Sequence, residues 1–144
     1  LTSKEFFLQV KKAETELKML QARLRHYEDL GLSSTSNISA SGGHQKGNSR
    51  VEQAAIGIVD ATKDLNDKIR HYSAIITRAE HVIGQIQQEK YRQILSYRYL
   101  SGWSFRSISD ELKYSDPRSI YRAHGWALAE AQKILNREDN KHGT

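Results

Sequence analysis

The chain has 144 residues, with 22 Lys or Arg against 17 Asp or Glu, a net charge of +5 and a pI of about 9.5. Hydrophobic residues make up 38% and charged residues 27%, a balance that suits long helices with much solvated surface in one or two small domains. Without cysteine there is no disulfide or thiol chemistry, and no apolar run approaches the roughly 18 residues that a membrane-spanning helix needs. No signal peptide is visible, and the chain starts at Leu1 rather than Met, as expected of a trimmed native start.

Residues 4–30 predict a first helix. Phe6, Val10, Ala13, Leu17, Leu20, Leu24 and Tyr27 alternate by four and three, the narrow seam of a coiled coil. Ser3 is placed to enter this helix and Gly31 to stop it. Residues 31–49, rich in Gly, Ser, Thr and Asn, have no apolar period and are expected to form a flexible linker, with His44 solvated. Residues 50–88 predict a second helix with the same alternation through Val51, Ala55, Ile58, Thr62, Leu65, Ile69, Tyr72, Ile76, Ala79, Ile83 and Ile86. The two helices are expected to fold back as an antiparallel coiled-coil hairpin over residues 1–88. So narrow a seam buries little surface. Ala54, Ala61, Ile75 and Val82 widen the stripe on the second helix beyond what two helices need. Self-association is therefore expected, with Leu17, Leu20, Leu24, Leu65, Ile69 and Ile76 as the oligomerisation residues of a homo-oligomer.

Residues 89–137 read as a second domain. Tyr91, Ile94, Leu95, Tyr97, Tyr99 and Leu100 mark a support helix over 89–101, continuing the second helix with little break and ended by Gly102. Trp103 is expected in the core at the next turn. Ser104–Leu112 predicts a short amphipathic helix with Phe105, Ile108 and Leu112 on one face. Lys113-Tyr114-Ser115 is a turn, and Asp116-Pro117 opens another helix, since Pro is tolerated at the first helical position and Ser115 or Asp116 can cap it. In that helix Ile120, His124, Ala127, Leu128, Ala131, Ile134 and Leu135 face inward, and His124 is expected to be a partly buried structural histidine. Trp126 fits either the surface or a packed position. Residues 136–144 lack apolar side chains, and a disordered tail is expected from 138.

Two helices joined by a short turn, the second with a polar outer N-terminal end, is the layout of a helix-turn-helix. Arg118, Ser119, Tyr121 and Arg122 occupy the turns that reach base edges in the major groove. Arg can pair with two acceptors of guanine, or can hold a phosphate instead. Arg106 and Ser107 are expected phosphate contacts, as are the amides at the helix start near Ser104. Residues 90–122 carry seven basic and three acidic residues, a net +4, as phosphate binding requires. Residues 1–87 carry twelve and ten. No catalytic constellation stands out: the six histidines include no HxxxH pair, there is no glycine-rich phosphate loop, and the carboxylates are scattered. No enzyme activity, cofactor or metal is expected.

Residues 94–128 resemble region four of sigma factors, in the phrase Arg98-Tyr99-Leu100-Ser101-Gly102 followed by Ser104, Phe105, Ile108 and Leu112. The pattern Tyr114-Ser115, Arg118, Ile120, Arg122, His124-Gly125 and Ala127-Leu128 is more similar still to ArpU/RinA-like phage transcriptional regulators. The turn is one residue longer than the region-four pattern, with Pro117 added, which leaves Arg118, Tyr121 and Arg122 all open as base readers. The expected fold is all-α, the coiled-coil hairpin read from the heptads followed by a helix-turn-helix that resembles region four. The resemblance implies an activator of late or packaging genes, acting on double-stranded DNA, with bacterial RNA polymerase as a further partner, in the cytoplasm of a bacterial host. Two alternatives share these features: a small terminase subunit for genome packaging, and a polymerase-gripping module that does not read DNA. A dimer or tetramer fits the regulator, whereas a ring of eight or more fits the terminase.

Overall fold

The structure, a computed structural model, describes the backbone of residues 1–40 and 45–143 and the side chains of residues 1–32 and 50–143. These residues form helices joined by short turns and loops, with no strand among them. The helices are α1 (Ser3–Ala40), α2 (Gln45–Gly84), α3 (Glu89–Leu95), α4 (Phe105–Glu111) and α5 (Ser119–His142), with a π-helical segment, Ser96–Leu100, following α3. The described chain forms two compact units, residues 1–15 with 73–144 and residues 16–72.

The first unit holds nearly all the core. Its α1 end is fixed by a reciprocal capping box: the Glu5 amide donates to Thr2 Oγ1 at 3.2 Å and the Thr2 amide to Glu5 Oε2 at 2.9 Å. The same Thr2 bonds hold the Glu5 carboxyl below the usual range. Ser3 is buried and ties this end to α5, its hydroxyl donating to the Leu128 carbonyl at 2.8 Å. Phe6, Phe7 and Val10 of α1 pack with Ala79, Val82 and Ile83 of α2, Leu95 of α3, Tyr99 of the π-helical segment, and Ala127, Ala131, Ile134 and Leu135 of α5. A second cluster joins Ile94 of α3, Ile108 of α4, and Ile120 and Ala123 of α5. Every apolar residue assigned to the inner face of the last helix is buried or half-buried.

The second unit contributes only Leu20 and Leu65 as buried apolar side chains among its described residues. Leu17, Leu24 and Ile69 are half-buried, while Met19, Leu30, Ile56 and Val59 stay exposed. Ile76, in the first unit, is buried. Leu20, Leu65 and Ile76 are thus covered within one chain, while Leu17, Leu24 and Ile69 keep part of their surface accessible.

Several expected boundaries differ. Gly31 does not stop α1, which runs on to Ala40, and α2 starts at Gln45, so most of the linker expected over 31–49 is helical. Mid-helix Gly costs about 1 kcal/mol and Ser, Thr and Asn less; none forbids a helix as Pro would, and the chain's one Pro is Pro117. His44 lies outside the described residues. The second helix ends at Gly84 rather than continuing to 88, and Gln88 is extended before α3 begins. Arg92 stabilises this break by donating from one guanidinium nitrogen to the carbonyls of Ile86 and Gln87, at 2.5 and 2.8 Å. The compact unit that carries 89–137 also takes in both ends of the expected hairpin, residues 1–15 and 73–88. The last helix starts at Ser119, with Pro117 in the turn before it, and continues to His142 where a tail was expected from 138.

Candidate nucleic-acid interface

α3, α4 and α5 meet around the Ile94, Ile108, Ile120 and Ala123 cluster, which fixes the outer faces of α4 and α5. The approach to α4 is made by the π-helical segment. The Ser101 amide reaches back to the Ser96 carbonyl at 3.0 Å and that of Trp103 to Tyr97 at 2.9 Å. Gly102, at φ +74°, makes the turn that a residue with a Cβ would resist. Trp103 then stacks on Tyr97 with ring centres 4.3 Å apart, a half-buried core position as the sequence suggested.

Ser104 is the N-cap of α4, its Oγ accepting the Ser107 amide at 3.1 Å, and its hydroxyl donates to Ser107 Oγ at 2.9 Å. The expected phosphate site on the amides near Ser104 therefore has the Ser107 N–H already engaged. Arg106 and Ser107 are both exposed on this first turn. α4 closes with a Schellman motif: the Tyr114 amide bonds the Ser109 carbonyl and the Lys113 amide that of Asp110. Lys113 holds the left-handed position at φ 61°, where glycine is usual.

The turn over 112–118 is organised by Asp116. Its Oδ1 accepts the Arg118 amide at 2.9 Å, its carbonyl accepts the Ser119 amide at 3.0 Å, and its carboxylate lies 3.5 Å from the Arg118 guanidinium. The Arg118 side chain is 90% exposed, so this ion pair is weak and gives way readily to another anion. Asp116, Arg118, Ser119 and Arg122 line one open notch of about 290 Å³, which brings Arg118 and Arg122 to the same side. Tyr121 is 60% exposed and leans on Phe105 at 5.0 Å between ring centres.

Arg98, missed at the sequence level as a site residue, locks these parts together. Its guanidinium sits 4.1 Å from the centre of the Phe105 ring and donates to the Trp103 carbonyl at 3.0 Å. Phe105 also meets His124 edge-on at 4.9 Å, and His124 Nε2 is hydrogen-bonded to the Tyr99 hydroxyl at 2.7 Å. Burial, then the positive charges of Arg98 and Lys4, hold the His124 pKa below the usual histidine value. Burial raises that of Tyr99.

A second cleft, of about 180 Å³, lies beside the notch and is lined by Lys90, Tyr91, Tyr114, Ser119, Arg122 and Trp126. Lys90, Tyr114 and Trp126 had no assigned role. Their sole sequence signal was basic and aromatic residues flanking the same turn, and nothing in periodicity brings residue 90 to residue 126.

Among the described residues no cluster of His, Asp and Glu could hold a metal ion, and no helix is long and apolar enough to cross a membrane. No family model, curated protein or solved structure matches the chain.

Proposed function

We propose that the chain is a phage-type transcriptional activator that binds promoter DNA through α4 and α5 as a helix-turn-helix, α5 being the recognition helix. The observation that carries this reading is the pairing of faces on α5. Ile120 and Ala123 are buried in the core, and the intervening and flanking Arg118, Tyr121 and Arg122 are exposed, beside exposed Arg106 and Ser107 at the start of α4. A rigid inner face fixes a basic outer one, which suits insertion into the major groove. Arg118, Ser119, Tyr121 and Arg122 face base edges; Arg106 and Ser107 hold phosphates. The hairpin of α1 and α2 joins copies of the chain, and Met19, Ile56 and Val59 supply apolar surface for that contact. RNA polymerase is the further partner of the DNA-bound form. The function is binding, without catalysis or cofactor.

Selection of bound sequences from a random duplex pool tests this. A preferred site should emerge. On it, Arg122→Ala should cost about 1–3 kcal/mol and relax one base position. Arg106→Ala should weaken cognate and random DNA alike and reduce the salt slope by about one. No enrichment, or unchanged preference for Arg118, Tyr121 and Arg122 variants with intact helix content, would overturn the reading and favour a module that grips polymerase alone.

A further inference from the structure

The cleft between α3, the 112–118 turn and α5 holds three features that point to a single kind of ligand. The Tyr114 hydroxyl is buried without a hydrogen-bond partner, the one side-chain polar atom in that state among the described residues. Buried polar groups are nearly always paired, so an unpaired donor on a residue that lines a cleft calls for an acceptor from outside. Lys90 holds its ammonium 4.2 Å from the centre of the Tyr114 ring, over its face, and Arg122 also lines the cleft; neither pairs with a carboxylate among the described residues. The lining contains no acidic residue, and the exposed Trp126 ring forms part of the wall. A donor, two unpaired cations and aromatic walls match an anion that only accepts hydrogen bonds and carries an apolar neighbour. A phosphodiester with its sugar has that chemistry.

We propose that this cleft is a phosphate clamp, taking one backbone phosphate of the bound duplex beside the stretch that α5 reads. The Tyr114 hydroxyl donates to a phosphate oxygen, Lys90 neutralises its charge, and the Trp126 ring packs on the adjoining sugar. Ser119 and Arg122 line both the cleft and the Arg118 notch, so a strand lying along α5 passes from one to the other. The clamp rests on the DNA-binding reading above and extends its footprint to α3.

Tyr114→Phe separates this from a merely structural tyrosine, because it keeps the ring under Lys90 and removes the hydroxyl alone. The melting temperature should hold or rise, since an unpaired buried group is lost, while binding to cognate and random duplex falls about tenfold. Lys90→Gln should weaken both alike and lower the salt slope by about one. Both variants binding like wild type, while Arg106→Ala binds more weakly, would overturn the clamp and leave the DNA reading intact. Wild type failing to bind duplex at low salt would overturn both. Inorganic phosphate at matched ionic strength should displace duplex no better than chloride. Selective displacement that Tyr114→Phe abolishes would assign the cleft to a free phosphate ligand and overturn the clamp.

Discussion

The seam that begins at Val51 runs unbroken through Ile83 of α2 to Ile86 just beyond it, yet its two halves behave differently. Over residues 73–86, Ile76, Ala79, Ile83 and Ile86 are buried, with Val82 beside them. Over 51–72 only Leu65 is; Val51, Ile58, Thr62, Ile69 and Tyr72 are half-buried and Ala55 is exposed. α1 repeats the contrast, with Phe6, Val10 and Ala13 buried, and Leu17, Leu24 and Tyr27 half-covered. The same four-three spacing produces both outcomes. What differs is the number of layers: in the first unit α5, Leu95 and Tyr99 close over the seam, and in the second no further element of the described chain joins the core. Spacing selects which residues face inward; neighbours decide how far they leave water. The densely packed unit is the one that carries the basic face of α5, which suits a role that needs side chains held in register. The thinly packed unit keeps apolar surface exposed, which suits contact with a second copy.

The largest effect that sharpens this contrast is on stability. Phe7 is fully buried and stacks on Tyr99 at 5.0 Å between ring centres. Phe7→Ala should cost about 3–5 kcal/mol in urea unfolding, against about 1–2 kcal/mol for Leu17→Ala in the other unit. Equal losses at the two sites would break the comparison.

The next effect is a pH dependence confined to the dense unit. His124 titrates below the usual histidine value, mainly through burial. Between its folded pKa and the unfolded value of about 6.5, the unfolded chain binds more protons than the folded one. Stability from His124 is therefore full above about pH 6.5 and is lost as pH falls below it. Thermal unfolding between pH 7 and pH 5 should show a drop that His124→Gln reduces. An equal drop in the variant would mean the loss arises elsewhere.

Much of the first-order architecture was legible in the sequence because it rests on local rules. The seam positions, the turn after α4 and the inward face of α5 all follow from short-range spacing. Helix ends failed where composition stood in for mechanism: Ser, Thr, Asn and Gly lower helix propensity over 31–40 without breaking the helix, and polar residues at 136–142 continue one. The site was half legible. Arg106, Arg118, Tyr121 and Arg122 are exposed as their spacing implied. The Arg98 lock on Phe105 and the Lys90, Tyr114 and Trp126 cleft depend on side chains far apart in sequence, which no local period encodes.

The measurement that bears most directly on the division of labour between the two units is amide hydrogen exchange with and without bound duplex. The account predicts added protection over residues 104–108 and 116–126, with residues 16–32 and 50–72 unchanged at constant oligomeric state. Protection confined to residues 16–72, or none at saturating duplex, would contradict it.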